Sequence, residues 1–255
     1  MLCTIWLGIV SSIIGAVIAY FTSYKLIMYI SIIPRVINVI IALFMAEPDK
    51  SNTAETKDIL GNMWNALKIT VQSPIMRKQV VADSLTDGIG EATYQIRSEF
   101  YKMVWPAWAL GIPNALSNVG SFLGNWFSEN ILQKWGNKKT IIIGEAYSIV
   151  SNIAAVISKN VISPLIMVTN SIIPTNIPKA AISQRLYVDE YRSSLGSIKS
   201  FFGSIIYAIF AVLIGWMAER RGIIYTIAVV QGAKIIVIML YNNIFKNNPT
   251  LQNNR

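Results

Sequence analysis

Residues 195–217 read LGSIKSFFGSIIYAIFAVLIGWM, and after a short charged turn residues 223–245 read IIYTIAVVQGAKIIVIMLYNNIF. A helix needs about 20 mainly apolar residues to cross the hydrocarbon core of a bilayer. Each run exceeds that length and contains a single charged side chain, Lys199 in the first and Lys234 in the second. The two runs therefore predict a pair of membrane-spanning helices.

The composition of the whole chain agrees with this interpretation. Of 255 residues, 53% are hydrophobic and only 14% are charged, whereas soluble proteins carry about 25% charged residues. The charges gather in short clusters between long apolar runs, which predicts an all-α polytopic membrane protein rather than a β-barrel with short alternating segments. The net charge of +9 is typical of basic loops beside anionic lipid, and no nucleic-acid-binding motif is present.

We predict about eight transmembrane helices in this chain. They cover residues 2–20, 26–46, 79–100, 105–127, 140–158, 161–181, 195–217 and 223–245. The first helix carries Gly8, Ser12 and Ala16 four residues apart, a stripe of small side chains that predicts close packing against another helix. The larger share of the 22 Lys and Arg residues falls on the side of the two termini, which predicts that both termini are cytoplasmic.

The same pattern divides the chain into four parts. Residues 1–48 hold two transmembrane helices, residues 49–78 form a cytoplasmic linker, residues 79–246 form a six-helix bundle, and residues 247–255 are a cytoplasmic tail. Within the linker, Ile59, Met63 and Leu67 make an apolar stripe at helical spacing. We therefore expect an amphipathic helix that lies on the membrane surface.

Three carboxylates interrupt the third apolar segment. Asp83, Asp87 and Glu91 follow one another at intervals of four residues, so a helix places them on one face. Because a charge in hydrocarbon is costly, such groups usually face a water-filled cavity or a proton path, and we predict a cation or proton site. The alternative is salt bridges near the helix ends, with Arg77 or Lys78 for Asp83 and with Arg97 or Lys102 for Glu91.

Two further charges lie within predicted transmembrane helices. Glu145 is about one helical turn from Lys138 and Lys139, and we expect it to pair with them. Lys234 lies deeper in its helix. It either binds an anionic substrate or pairs with an acidic residue of another helix, and the sequence leaves both possibilities open.

No enzymatic motif is found. Cys3 is the only cysteine and histidine is absent, which excludes intramolecular disulfides, thiolate zinc sites and histidine base catalysis. There is no glycine-rich phosphate loop and no nucleophile elbow. We therefore predict neither an enzyme nor a resident metal or cofactor.

One predicted cytoplasmic loop has a distinctive order of small, acidic and basic residues. It comprises Gly124, Glu129, Lys134, Gly136, Lys138 and Lys139. Gly136 supplies a tight turn, and the following lysine pair holds that turn at the cytoplasmic face. The loop resembles the signature loop of the major facilitator superfamily, in the copy between the eighth and ninth helices. Residues 190–196 and 215–222 similarly resemble the loops that enter and leave the eleventh helix of that family.

The resemblance implies the C-terminal six-helix half of a major-facilitator fold, in residues 79–246, plus the fifth and sixth helices of the other half, in residues 1–48. Members of the family are secondary active transporters of small molecules that work by alternating access, with substrate held between the halves. The resemblance therefore implies proton-coupled transport and an integral protein of the bacterial inner (plasma) membrane. The partners that it implies are membrane lipid, an unidentified small-molecule substrate and a proton, and the four missing helices are one further candidate if they form a separate chain.

The resemblance also assigns a role to the sixth apolar segment. Pro164, Pro174 and Pro178 predict that this segment is kinked or broken. It corresponds to the tenth helix of the family, which lines the substrate cavity, so Asn170 becomes a candidate substrate contact. Two alternatives remain open: a truncated or decayed relative that does not transport, and a membrane scaffold or assembly partner.

Overall fold

The structure, a computed structural model, describes residues 2–22, 24–44, 59–187 and 189–252, and these ranges contain helices but no strand. The α-helices are α1 (Leu2–Phe21), α2 (Tyr24–Phe44), α3 (Ile59–Gln72), α4 (Pro74–Lys102), α5 (Gly111–Trp126), α6 (Ser128–Ser158), α7 (Ser163–Val168), α8 (Asn176–Leu186), α9 (Arg192–Arg221) and α10 (Ile223–Asn247). Single 3₁₀ turns occur at Ala107–Leu110, Thr169–Ile172, Asp189–Tyr191 and Pro249–Leu251.

Each of the eight predicted apolar segments is mainly helical over its described residues, and the sixth is broken between α7 and α8. Within the described ranges, α6, α9 and α10 are long and apolar enough to cross a membrane, as judged by length and composition. Met28–Phe44, within α2, is a shorter apolar helix. Residues 49–58 of the predicted linker and residues 253–255 of the predicted tail lie outside the described part of the chain.

Local sequence sets the ends of several helices. The Ser73 hydroxyl accepts a hydrogen bond from the Met76 amide at 3.4 Å, and Pro74 fills the first helical position of α4, where its missing N–H costs nothing. Lys159, with a φ of 42°, ends α6 in the left-handed conformation. Gly222, with a φ of 84°, forms the turn between α9 and α10.

Helix α4 lies at the centre of the bundle, packed against α9 and α10, and α10 also packs against α6. The shared core contains fully buried Phe100, Ile141, Met167, Ile227 and Tyr241. In a membrane these contacts act through van der Waals packing, because lipid tails are as apolar as the side chains they replace. The core therefore holds α4 in place against α9 and α10.

The predicted helix of the linker is present as α3. Ala66 and Thr70 are its buried residues and face the protein, where α3 packs against α9 and α4. Met63 belongs to the predicted stripe but is exposed, as is the neighbouring Trp64. The protein-facing side of α3 is therefore centred on Ala66 and Thr70. Of the predicted stripe, Leu67 is partly buried against the core, whereas Met63 is exposed.

The small-residue stripe of α1 packs against α5, as its spacing predicts. A Cβ atom on Gly8 would lie 2.9 Å from the Asn118 amide nitrogen, and one on Gly111 would lie 2.6 Å from the Ser12 carbonyl oxygen and 2.7 Å from the Ala16 Cβ. At Gly111 these neighbours cannot rotate away, so no side chain fits there. At Gly8 the flexible Asn118 side chain would have to move. Residues 1–48 therefore share an interface with the six-helix unit through α1.

Candidate functional site

The predicted turn at Gly136 is present and divides α6 into two helical parts. Gly136 has φ 70° and ψ 172°, a region that is essentially restricted to glycine. The next residue, Asn137, is fully buried and donates from its backbone to the Gln252 carbonyl at 2.8 Å and from its side chain to the Leu251 carbonyl at 3.0 Å. The loop therefore anchors the 3₁₀ turn at the end of α10.

Gly136→Ala is expected to destabilise the folded chain by about 1–3 kcal/mol, because a Cβ atom disfavours this backbone conformation. The measurement is the thermal unfolding midpoint of the detergent-solubilised protein, followed by circular dichroism. Gly232→Ala in α10 is the control, since a Cβ atom there meets open space and should be neutral or slightly stabilising. Equal midpoints for the two variants would refute the assigned backbone strain.

The other residues of the predicted signature loop are mostly at the surface. Glu129 is exposed and accepts a hydrogen bond from Gln133 at 3.2 Å. Lys134 and Lys139 are exposed, and Lys138 is partly buried. Gly124 is buried against the backbone of Ile172, in the broken segment between α7 and α8. The loop thus supplies one turn and one close helix contact rather than a cluster of charges.

Asp83 of α4 is completely buried and joins four helices. Its carboxylate accepts hydrogen bonds from Gln79 at 3.1 Å, from Ser183 of α8 at 2.7 Å and from the Tyr241 hydroxyl of α10. Lys199 of α9 lies 3.8 Å away. The alternative pairing with Arg77 or Lys78 is therefore wrong: Lys78 donates instead to Asn243 at 2.7 Å. Nearby, burial and then the negative charge of Asp83 raise the pKa of the Tyr187 phenol.

Asp87 and Glu91 face a shallower environment on the same helix. The Asp87 carboxylate is 53% exposed and pairs with Lys199 at 3.2 Å. Both acids line a groove of about 260 Å³ between α4 and α9, which we call the α4–α9 groove. Glu91 does not pair with Arg97 or Lys102; it accepts a hydrogen bond from Gln95 at 3.4 Å, and Lys102 pairs with Glu99 at 2.6 Å.

A second group of charges, the Glu145 cluster, joins α6, α8 and α10. One carboxylate oxygen of Glu145 pairs with Lys179 of α8, and the other lies 3.9 Å from Lys234 of α10. All three side chains are buried. The predicted pairing of Glu145 with Lys138 and Lys139 is therefore wrong, because the broken segment brings Lys179 inward to the same depth as Glu145.

Hydrogen bonds extend the Glu145 cluster toward α4. Lys234 donates to the Ser148 hydroxyl at 3.0 Å, and Asn152 contacts that hydroxyl at 3.4 Å. The Asn152 amide also donates to Gln231 at 3.1 Å, and its oxygen accepts from Arg97 of α4 at 3.3 Å. Buried polar groups need partners, and this chain of contacts supplies most of them across three helices.

Part of this network borders a polar cavity of about 330 Å³. We call it the central cavity. It lies among α4, α5, α6, α10 and the broken segment before α8, and its charged lining residues are Glu91, Arg97, Glu145 and Lys234. Ser148, Asn170 and Asn176 add hydrogen-bonding groups. The arrangement is suited to holding a small polar solute away from lipid.

Three of the five predicted coupling or substrate residues meet in this cavity: Glu91, Asn170 and Lys234. Asp87 lines the α4–α9 groove, and Asp83 is buried in the core one turn of α4 earlier. The sequence proposed Arg97 only as a salt-bridge partner for Glu91, and it assigned no acidic partner to Lys179 or Lys199. Gly90, Tyr94 and Arg97 are spaced at i, i+4 and i+7 and therefore lie on one face of α4. This spacing was the sequence signal that Arg97 shares a face with other residues of the cavity.

No protein-family model and no curated protein matches this chain.

Proposed function

We propose that this chain is a secondary active transporter of the major facilitator type, with about eight membrane-spanning helices that move a small molecule by alternating access. Three described helices have the length and apolarity that such spans require. The order of elements also supports the proposal: the Gly136 turn precedes a long apolar helix, and a proline-broken segment follows at the position that the resemblance assigns to the tenth helix.

The observation that carries this proposal is the Glu145 cluster beside the central cavity. Ionisable side chains at membrane depth are costly, and those that occur usually pair with one another or face a cavity that serves transport. Glu145 and Lys234 do both, since they pair with each other and line the same polar cavity. A helical scaffold has no physical need for such a cavity, so transport explains the cluster better.

Asp87 is the best candidate for proton coupling among the three acids of α4. Its carboxylate is half exposed in the α4–α9 groove, whereas that of Asp83 is buried and accepts three hydrogen bonds. Lys199 lies between them, at 3.2 Å from Asp87 and 3.8 Å from Asp83. Protonation of Asp87 removes the nearer anion, so Lys199 shifts toward Asp83, and proton binding is thereby linked to the packing of α9 on α4.

Asp87→Asn is expected to reduce proton-driven transport to the level of empty vesicles, because the amide keeps the shape of the side chain and cannot take up a proton. The assay uses the full-length transporter, with all of the helices that the resemblance implies, purified and reconstituted in proteoliposomes that contain the pH dye pyranine. A panel of sugars, amino acids and organic acids is added under an imposed pH gradient, and proton movement is followed for the solutes that the unaltered protein moves.

Glu99→Gln is the matched control, because Glu99 lies on the same helix, is exposed and pairs only with Lys102 among the described residues. It should leave transport unchanged. Normal proton coupling in Asp87→Asn would contradict the assigned role. The scaffold alternative instead predicts that amides are tolerated at all three acids of α4, while bulky side chains are not tolerated at Gly120, Gly124 and Gly203.

We further propose that the protein resides in a bacterial plasma membrane with both termini in the cytoplasm. Exposed Lys134 and Lys139 flank the Gly136 turn, as expected for a loop on the cytoplasmic side. The partners that we propose are membrane lipid, a proton and a small-molecule substrate.

A further inference from the structure

The central cavity lies within the six-helix unit formed by α4 to α10, and its lining includes the cations Arg97 and Lys234 and two buried donors without partners, the Arg97 Nε and the Asn170 Nδ2. From this lining we propose that the cavity binds small organic anions, which Arg97 and Lys234 recognise by charge. The inference rests on the proposed transport function for its biological role, and it names the class of substrate. The charge and shape of the cavity support it independently of any transport measurement.

The first support is the balance of buried charge. Arg97, Lys179 and Lys234 carry three positive charges around the single buried carboxylate of Glu145. Each oxygen of that carboxylate already faces one of the two lysines. None of the ion pairs in the described ranges includes Arg97, whose contact is with the neutral amide of Asn152. The cluster therefore has a positive excess that an anion can neutralise.

Glu91 also lines the cavity but does not cancel this excess. Its side chain is exposed, and its carboxylate accepts a hydrogen bond from Gln95 at 3.4 Å. It lies more than a turn of α4 before Arg97, and the two do not form an ion pair in the part of the chain that the structure describes. An acid at the edge of the cavity leaves the deeper cations free to attract a ligand.

The second support is the presence of donors without partners. The Arg97 Nε and the Asn170 Nδ2 are buried, belong to residues that line the cavity and have no hydrogen-bond partner in the described structure. Buried donors without partners are rare, because each loses its bonds to water. A carboxylate, sulfonate or phosphate accepts several hydrogen bonds and donates few or none, so it satisfies these groups together with Lys234.

The size of the cavity limits the ligand further. Its volume of about 330 Å³ is at the lower end of the range for small-molecule pockets. Helices α4, α5, α6 and α10 and the broken segment that carries Asn170 supply its lining. These dimensions favour a compact organic acid over an extended amphiphile.

A cysteine placed in the cavity tests the sign of its charge without knowledge of the natural ligand. Ser121 lines the cavity from α5, so S121C is introduced into the full chain after replacement of the single cysteine by C3S. The reference is N130C, because Asn130 is exposed and lies between Glu129 and Lys134, which carry opposite charges. The reagents are two methanethiosulfonates of similar size, one bearing a sulfonate and the other a trimethylammonium group.

We expect the ratio of the sulfonate rate to the trimethylammonium rate in S121C to exceed the ratio in N130C by about tenfold or more, as electrostatic attraction in a cleft produces. Arg97→Gln and Lys234→Gln should each lower this ratio toward the reference. Arg97→Lys, which keeps the charge, should preserve it. Lys134→Gln, at an exposed position, should leave the ratio in S121C unchanged.

Several results would overturn the inference. These are a trimethylammonium rate in S121C equal to or above the sulfonate rate, a ratio insensitive to both glutamine variants, or no reaction in S121C while N130C reacts. Circular dichroism and gel filtration confirm that each variant is folded, and Arg97→Lys provides a second route if a glutamine variant is not. The labelling needs no ion gradient, so its result holds even if the protein shows no transport. Transport of cations instead of anions would contradict the anion inference but not the proposed transport function.

Discussion

Glu145→Gln is expected to reduce the free energy of unfolding by about 3–5 kcal/mol, the usual cost of removing one partner from a buried ion pair. Glu145 lies between Lys179 and Lys234, and all three side chains are buried. The neutral amide leaves two ammonium groups close to each other without a compensating charge. The variant therefore loses the contact that joins α6 to both α8 and α10.

The measurement is unfolding of the purified protein in mixed micelles by increasing amounts of dodecyl sulfate, followed by circular dichroism. Glu129→Gln serves as the control, because Glu129 is on the same helix, is exposed and should cost less than about 0.5 kcal/mol. The double variant Glu145→Leu with Lys179→Met should recover part of the loss, since it removes the isolated charge. A loss below about 1 kcal/mol in Glu145→Gln would argue against the buried cluster.

Gly124→Val is expected to prevent α5 from packing against the broken segment between α7 and α8, at a cost of about 3 kcal/mol or more. A Cβ atom on Gly124 would overlap the carbonyl oxygen of Ile172 and lie 2.9 Å from its carbonyl carbon. These are backbone atoms, so rotation of a side chain cannot relieve the overlap. The broken segment must move, and it carries Asn170 of the central cavity.

Gly232→Val in α10 is the matched control for this change. Gly232 is exposed, a Cβ atom there meets no other group within 4 Å, and glycine and valine differ little in the middle of a helix. Thermal unfolding and the sulfonate labelling rate of S121C are measured for both variants. Equal stability and equal labelling of the two variants would show that the approach of α5 to Ile172 is not a packing constraint.

The helices were predictable because their signals are local. Long apolar runs with few charges define them, the prolines at 164, 174 and 178 predict the break in the sixth segment, and Gly136 predicts the turn within α6. Each of these signals acts through backbone conformation or through the solvent preference of one stretch of chain. The small-residue stripe of α1 also predicted a close contact, although not that its partner is α5.

The candidate site was less predictable, since its pairs join residues far apart in the chain. Lys199 lies within a predicted helix and had no predicted partner, whereas the structure pairs it with Asp87. Lys179 also had no predicted partner, and the structure buries it against Glu145. A spacing of four residues identifies neighbours on one helix, but it holds no information on which face of another helix is opposite.

By itself, the sequence determined that this protein is built of helices, where most of them begin and end, and that charged groups are placed among apolar ones at unusual cost. Only the tertiary structure decided which charges meet: Asp83 with Tyr241, and Glu145 with Lys179 and Lys234. The physical reason is that the burial of an apolar helix depends on its own composition, whereas the stability of a buried charge depends on the partner that the packing of another helix brings to it.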